Sequence, residues 1–274
     1  MSVIRNITPD KCEESYDDER MLSSRHRLLV KYQISNNLRR QISNTRLGIL
    51  WLIINPLVTS LIYVFVFTVM SANVDAMSII IGIGIFRVFG LSVRSGIASI
   101  NDYRGGILAE RISTRVLTLG MIGSRIVNAQ LQTLGVGIVL ILIFKTGIFT
   151  AIFLMIFATI CAITIEGIML NFAKLIRNLP DLNNLIQHSL QLMFYLSPVL
   201  YNFERTSGIH RQINTYNPLT YFIEPVRSLA NGGSNWDFIE NELQVLLIVF
   251  LLIIFSLKGY MSLDKVRWEV SSWS

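Results

Sequence analysis

Long apolar segments with few charges constrain this chain more than any other feature of its sequence. Six of them follow one another, at about 46–75, 78–100, 125–145, 147–173, 181–204 and 243–260. About 20 apolar residues in a helix are enough to cross the ~30 Å hydrocarbon core of a bilayer. A backbone in lipid must satisfy its own hydrogen bonds, which a helix does within one segment. The sequence therefore predicts an all-α integral membrane protein with six transmembrane helices.

The composition agrees with this prediction and excludes another class of protein. Hydrophobic residues make up 52% of the chain and charged residues only 15%, whereas soluble domains carry about 25% charged residues. The net charge of +6 would suit nucleic acid, but the basic residues form short clusters beside apolar segments, without an RNA-binding pattern. Cys12 and Cys161 lie far apart and form neither a disulfide framework nor a metal site. We expect no nucleic-acid partner and no metal.

The basic residues also predict the orientation of the chain in the membrane. Cytoplasmic loops of membrane proteins carry an excess of Lys and Arg. With the N-terminus inside, the cytoplasmic side receives Lys31, Arg39, Arg40, Arg46, Arg104, Arg111, Arg115, Arg125, Lys174, Arg177, Lys258, Lys265 and Arg267. The outer side receives only Lys145, Arg205, Arg211 and Arg227. We therefore expect a multi-pass protein of the cytoplasmic (inner) membrane with both termini in the cytoplasm.

The segments around the apolar runs complete the predicted organisation. Residues 1–20 are a polar cytoplasmic tail, and residues 21–45 have the basic, half-apolar pattern of an amphipathic helix in the membrane interface. A plain cytoplasmic helix is the alternative for 21–45. The membrane domain covers 46–260 and a second tail covers 261–274. Within the domain, 204–242 is external, and its proline-interrupted core is too polar to span the bilayer, so we expect short re-entrant helices there.

Three stretches carry a resemblance to a known family. They are RLGILWLIINP at 46–56, YLSPVLYNF at 195–203 and NPLTYFIEPVRSLANGG at 217–233. In this order and spacing, the chain resembles the permease subunits of polysaccharide-exporting ABC transporters of the ABC-2 type, which serve capsule, O-antigen and teichoic acid. The resemblance extends in layout over about 25–260, and residues 99–127 resemble the capsule and O-antigen branches in particular.

This resemblance implies a transport subunit and not an enzyme. The sequence has no G-x-x-x-x-G-K-[ST] phosphate loop, so ATP and Mg are expected on a separate ATP-binding cassette subunit, in two copies. This chain itself needs no cofactor and no catalytic residue. Six helices are few to enclose a glycan path, so the resemblance implies a homodimer with lipid-linked polysaccharide passing between the copies. Membrane lipids are the remaining expected partner.

The family resemblance also indicates where the chain contacts its ATPase. In the family, an intracellular loop holds a coupling helix that docks on the ATP-binding subunit, and here this loop is about 101–115. Gly105 and Gly106 predict a flexible joint before a half-apolar helix, and an ordinary solvated loop is the alternative. The candidate coupling residues are Asn101, Asp102, Tyr103, Arg104, Ile107 and Leu108.

Two arginines inside the second apolar segment are candidates for the substrate path. Arg87 and Arg94 are seven residues apart, which places them on one face of a helix. Charged residues at membrane depth usually face protein, water or a charged partner. One hypothesis is that both line the path and meet the pyrophosphate of a lipid-linked glycan. The other is that Arg94 pairs with Glu166 and Arg87 extends towards the membrane surface.

Aromatic residues and the external segment supply the remaining candidates. Flat aromatic faces suit the C–H surfaces of sugar rings, although most aromatics at these depths are interface anchors. Tyr195, Tyr201 and Tyr221 are the candidate glycan contacts. We expect 217–233 to act as an outer gate, with candidate gate residues Asn217, Pro218, Glu224 and Arg227.

Two other functions remain open at this stage. A permease of the same ABC-2 type that exports a drug or a lipid would need no room for a polymer. A membrane-embedded glycosyl- or acyltransferase would need clustered acids or a His–Asp pair at one membrane surface. The acids of the external segment, Glu224, Asp237, Glu240 and Glu242, lie on the wrong side for cytoplasmic nucleotide sugars, which disfavours the enzyme.

Overall fold

Helices form nearly all of the regular structure. The computed structural model describes residues 4–8, 11–15, 24–42, 46–69, 75–110, 114–179, 181–232, 239 and 242–270. Strands β1 (Ile4–Thr8) and β2 (Lys11–Ser15) form an antiparallel hairpin within the segment expected to be a polar tail. The helices are α1 (Ser24–Ile42), α2 (Leu50–Val69), α3 (Ala76–Glu110), α4 (Thr114–Leu142), α5 (Ile148–Asn178), α6 (Asp181–Leu196), α7 (Gly208–Tyr216), α8 (Thr220–Ala230) and α9 (Glu242–Val270).

Five of these helices are long and apolar enough to cross a membrane. Among the described residues, the spanning stretches are Leu50–Val69, Ala76–Ser99, Val116–Leu142, Ile148–Ala173 and Glu242–Leu263. The first and last bury little of their surface within the chain. Their exposed residues, such as Phe65 and Phe250, have the apolar character that lipid or a neighbouring membrane helix requires. The chain is therefore a multi-pass, all-α membrane protein.

The remaining expected span, 181–204, contains a shorter helix. Helix α6 has 16 residues, which corresponds to about 24 Å at 1.5 Å per residue and is less than the thickness of the hydrocarbon core. The chain leaves the helix at Ser197 and Pro198 and continues into a 3₁₀ turn, Phe203–Arg205, followed by α7 and α8. Helix α8 then packs beside α3 and α5. The part of this expected span after Leu196 is therefore mostly non-helical backbone.

Helices α3, α4 and α5 form the centre of the bundle. Alternate isoleucines of α3, including Ile81, Ile83 and Ile85, are fully buried in the main apolar core with Leu154 of α5. Helix α9 lies against α5 at Gly167 and Gly259, where a side chain on either glycine would strike the other helix. Asn171 Nδ2 donates to the Phe255 carbonyl oxygen across this contact at 2.8 Å. Close approach at glycines is a common way for membrane helices to pack.

Helix α1 lies on the first turns of α4. The Gln33 side chain faces Gly120, and Ile34 faces Gly123. Asn37 Nδ2 donates to Ser124 Oγ at 3.5 Å. The opposite side of α1 exposes Leu28, Tyr32 and basic side chains. The segment expected to be amphipathic is therefore a helix that is anchored to the bundle along one face.

The structure corrects the expectation of a flexible joint near residue 105. Helix α3 continues without a break from Ala76 through Gly105 and Gly106 to Glu110. Residues 111–113 of the expected coupling loop lie outside the described residues, as do parts of the external segment (233–238 and 240–241) and residues 271–274. Helix α9 likewise continues to Val270, through most of the segment expected to be a C-terminal tail.

Candidate functional site

A large cavity opens between helices α2, α3 and α6. Its volume is about 810 Å³. Its lining includes polar, basic and aromatic side chains that three different helices contribute. These residues are Thr59, Tyr63, Ile83, Phe86, Arg87, Gly90, Arg94, Gln187, His188, Leu190, Gln191, Leu192, Phe194 and Tyr195.

Both candidate arginines of α3 line this cavity, as their spacing predicts. Arg87 is half-buried and donates to the Thr59 hydroxyl of α2. Arg94, two helical turns away, is exposed. Neither makes an ion pair with a carboxylate among the described residues, and no acidic residue lines the cavity. The cavity is therefore electropositive, and its charge is available to an anionic group.

Aromatic rings form one wall beside the arginines. The Phe194 ring lies 4.9 Å from Phe86, 5.1 Å from Tyr63 and 5.2 Å from Tyr195, measured between ring centroids. These distances are typical of aromatic pairs. Tyr195 keeps 62% of its surface exposed, so its face is free for a ligand. Of the three candidate glycan-contact tyrosines, only Tyr195 lines the cavity.

The other two tyrosines hold the external segment together. Tyr201 donates its hydroxyl hydrogen to the Leu196 carbonyl oxygen at 2.5 Å and contacts His210 Nε2 at 2.7 Å. Tyr221 is buried, and its hydroxyl donates to the Thr215 carbonyl oxygen at 2.5 Å. Both hydroxyls thus fix the path of the chain around α7 and lie away from the cavity.

Two of the candidate gate residues, Arg227 and Glu224, form a buried ion pair. Arg227 is only 2% exposed and donates to the carbonyl oxygens of Ser78, Val199 and Tyr201 at 2.8–3.2 Å. Its Nη1 also bonds Glu224 at 2.7 Å. Burial raises the pKa of the Glu224 carboxyl, and Arg227 acts in the opposite direction. This arginine therefore ties α8 to the start of α3 and to the chain after α6.

Two further gate candidates shape the turn before α8. The Asn217 side chain donates to Ser197 Oγ at 2.7 Å and accepts from the Leu219 backbone N–H at 3.0 Å. It thereby joins the end of α6 to the start of α8. Pro218 is half-buried and lines a second, mostly apolar cavity of about 510 Å³ between α6 and α7.

Gly82 of α3 leaves the space that Arg227 needs to reach its carbonyl partners. A Cβ at this position would collide with the Val199 carbonyl oxygen and lie 2.7 Å from Arg227 Nη2. We expect Gly82→Ala to lower the thermal unfolding midpoint of the purified protein, since overpacking typically costs about 1–3 kcal/mol. Gly90→Ala on the same helix is the matched control, because its Cβ would have only Arg94 Nη2 nearby, at 3.5 Å. Equal midpoints for the two variants would contradict this reading.

The structure corrects the expected partner of Glu166. The carboxylate bonds Arg125 Nε of α4 at 2.8 Å, whereas Arg94 faces the cavity. The charge pattern had marked Arg125 only as a cytoplasmic boundary residue. Its position near the start of one predicted span, with Glu166 towards the end of the next span, was the available signal for this pairing.

Sequence reasoning also missed part of the cavity lining. His188, one of three dispersed histidines, shares the cavity with both arginines. Thr59 and Gln191 do so as well, from α2 and α6. By contrast, the coupling candidates between 101 and 108 are described only by their helical backbone, so their contacts stay a prediction.

Comparisons with known proteins agree with these features. The family profile of the ABC-2 type transporter membrane domain matches residues 29–230. The chain is 24% identical over 244 residues to the O-antigen export system permease protein RfbA of Klebsiella pneumoniae, covering 86% of this chain and 90% of that protein. It is 25% identical over 182 residues to the RfbA permease of Myxococcus xanthus, covering 64% and 69%.

The family match covers well over half of the chain and includes most of α1 and all of α2 through α8. The matched part contains the arginine-lined cavity and the buried Arg227. Proteins of this kind are the membrane subunits of transporters and work with ATP-binding subunits. This chain belongs to the ABC-2 type transporter membrane family and is a multi-pass transport subunit.

Proposed function

We propose that this chain is the membrane-spanning subunit of an exporter that uses ATP to move lipid-linked polysaccharide, of the O-antigen type, across the cytoplasmic membrane. The observation that carries this proposal is the cavity between α2, α3 and α6, which contains Arg87 and Arg94 and, among the residues that the structure describes, no lining carboxylate. Guanidinium groups match the oxygens of a phosphate group in geometry and charge. The phosphate that links lipid and glycan is the expected ligand.

The rest of the cavity fits a lipid-linked sugar. Tyr195 and Phe194 offer flat apolar faces beside the arginines, and such faces suit sugar rings that must slide past. Gln187, His188 and Gln191 give α6 an exposed polar side. Lipid does not satisfy such groups, so this side is expected to face water, glycan or a second copy of the chain.

The proposed assembly is a homodimer with two ATP-binding subunits. ATP and Mg are held by those subunits, and no covalent chemistry falls to this chain. The excess of Lys and Arg on one side supports cytoplasmic termini. The cytoplasmic end of α3, from 101 to 110, is then the segment that meets the ATPase, and 217–233 forms the outer gate.

The test is ATP hydrolysis by the reconstituted complex with its ATP-binding subunit. Lipid-linked O-antigen is expected to stimulate hydrolysis, and replacing 101–110 with a scrambled helical sequence is expected to abolish that stimulation. Vesicles with the unglycosylated lipid phosphate are the control. Stimulation by small amphiphiles and not by the glycan would instead indicate a drug or lipid exporter of the same family. Absence of any ATPase partner would reopen the transferase alternative.

A further inference from the structure

Helix α2 contributes two side chains to the cavity, Thr59 and Tyr63. The Thr59 hydroxyl donates its only hydrogen to the Asn55 carbonyl oxygen of the same helix at 2.9 Å. A hydroxyl oxygen keeps two lone pairs as acceptors, whereas an arginine can only donate. The bond between the two helices therefore runs from Arg87 Nη2 of α3 to the Thr59 oxygen. Thr59 thus presents a hydrogen-bond acceptor, and no donor, to the arginine.

The acceptor oxygen of Thr59 is fixed relative to the bundle. Two heavy atoms on Cβ restrict the first side-chain torsion of a threonine, and the bond to the Asn55 carbonyl oxygen holds one of its rotamers. Helix α2 itself lies close against α4, because a side chain at Gly135 would strike Ile53 and Leu57. The Thr59 oxygen therefore keeps one place in the wall of the cavity.

Arg87 is the flexible partner in this contact. An arginine side chain has many rotamers, and ordering it at the moment of binding lowers the affinity for a ligand. The bond to Thr59 is the single hydrogen bond that Arg87 makes within the described part of the chain. A guanidinium has five N–H donors. One contact to α2 can therefore orient the Arg87 guanidinium and still leave most of its donors available to the oxygens of a phosphate.

We propose that Thr59 is a positioning residue, which holds the Arg87 guanidinium in the orientation that meets the phosphate of the lipid-linked glycan. This role rests on the proposed function, which supplies the ligand. Because Arg87 is ordered before the ligand arrives, binding does not include the cost of ordering it. The gain in affinity from ordering one long side chain is about two- to tenfold. A purely structural tie between α2 and α3 would stabilise the fold without this gain.

The test is the concentration of lipid-linked O-antigen that half-maximally stimulates ATP hydrolysis by the reconstituted complex. Thr59→Val keeps the size of the side chain and removes the acceptor oxygen. The half-maximal concentration is expected to rise about two- to tenfold, which is a larger factor than any fall in the maximal rate. Thr59→Ser keeps the hydroxyl and is expected to recover most of the difference. An unchanged concentration in Thr59→Val, or an equal rise in Thr59→Ser, would overturn the proposal.

Thr68→Val is the matched control on the same helix. The Thr68 hydroxyl also donates to the carbonyl oxygen four residues earlier, that of Val64, at 2.7 Å, and Thr68 does not line the cavity. Its replacement is expected to leave the half-maximal concentration and the maximal rate unchanged. Equal shifts in Thr59→Val and Thr68→Val would assign the effect to the lost bond within α2 and would overturn the role of Thr59.

A double-mutant cycle shows whether Thr59 acts through the arginine. In the Arg87→Gln background, Thr59→Val is expected to change the half-maximal concentration by less than about twofold, because the side chain that Thr59 positions is gone. The same shift as in the wild-type background would overturn the proposal. A wild-type complex that lipid-linked O-antigen does not stimulate would overturn the proposed function itself. Stimulation of the wild type, with Thr59→Val identical to it, would overturn the role of Thr59 alone.

Discussion

Replacing Arg227 with methionine is expected to remove most of the folded protein from a detergent extract. The change leaves three buried carbonyl oxygens without their donor. It also leaves the Glu224 carboxylate, 7% exposed, without its cation. Removing one partner of a buried ion pair typically costs about 3–5 kcal/mol, which is a large share of the stability of most proteins. Fluorescence-detected gel filtration and the thermal midpoint measure the loss.

Two further variants make this prediction specific to the buried arginine. Lys145→Met removes an exposed cation from the turn between α4 and α5 and is expected to change little. In the Arg227→Met background, Glu224→Gln is expected to recover part of the lost midpoint, because it removes the unpaired charge. An Arg227→Met protein as stable as the wild type would show that the hydrogen bonds to α3 and to 199–201 contribute nothing.

Replacing Arg87 with glutamine is expected to reduce export about tenfold or more while the protein still folds. The guanidinium lines the cavity, has no carboxylate partner among the described residues and is the deeper of the two arginines. A hydrogen bond to a charged group is worth about 1.5–3 kcal/mol, so export should fall by roughly tenfold or more. With the proposed substrate, surface O-antigen in a strain that depends on this transporter measures the effect.

Arg87→Lys is the companion variant. Lysine keeps the charge and loses the planar fork that arginine offers to phosphate, so intermediate export is expected. The amount of protein in the membrane must equal that of the wild type for both variants. Wild-type export by Arg87→Gln would exclude a role for this arginine in the substrate path and would favour its bond to Thr59 as a purely structural contact.

The sequence predicted what depends on spacing along one helix. Arg87 and Arg94 share a face of α3 and line one cavity, as residues two turns apart must. The sequence could not predict contacts that depend on how different helices pack against each other. Glu166 has an arginine partner, but that partner is Arg125 because α4 and α5 pack side by side at this level. The contribution of His188 to the cavity likewise depends on the rotation of α6.

Helix length was also only partly predictable. The run from 181 to 204 has no charged residue in its interior and reads as a full span. The helix nevertheless ends at Leu196, because Pro198 disfavours helical backbone at Ser197, and Asn217 and Arg227 then pair with the Ser197 hydroxyl and the Val199 carbonyl oxygen. These partners come from 20 or more residues later in the chain. Pro198 is a local signal for the end of the helix, but it does not indicate which residues hold the chain that follows.

The unbroken helix α3 connects the cavity arginines directly to the segment that ends at Glu110. The helix has 35 residues, about 52 Å at 1.5 Å per residue. Two glycines let this helix approach its neighbours closely, Gly82 at the Val199 carbonyl oxygen and Gly96 at the backbone of Glu166 and the side chain of Met169. Along the helix axis, Arg87 lies about 14 Å from Gly96 in one direction, and Glu110 lies about 21 Å from it in the other. Arg87 lies between these two close contacts, so a sideways push on the Glu110 end reaches the cavity through the packing of α3 at Gly96.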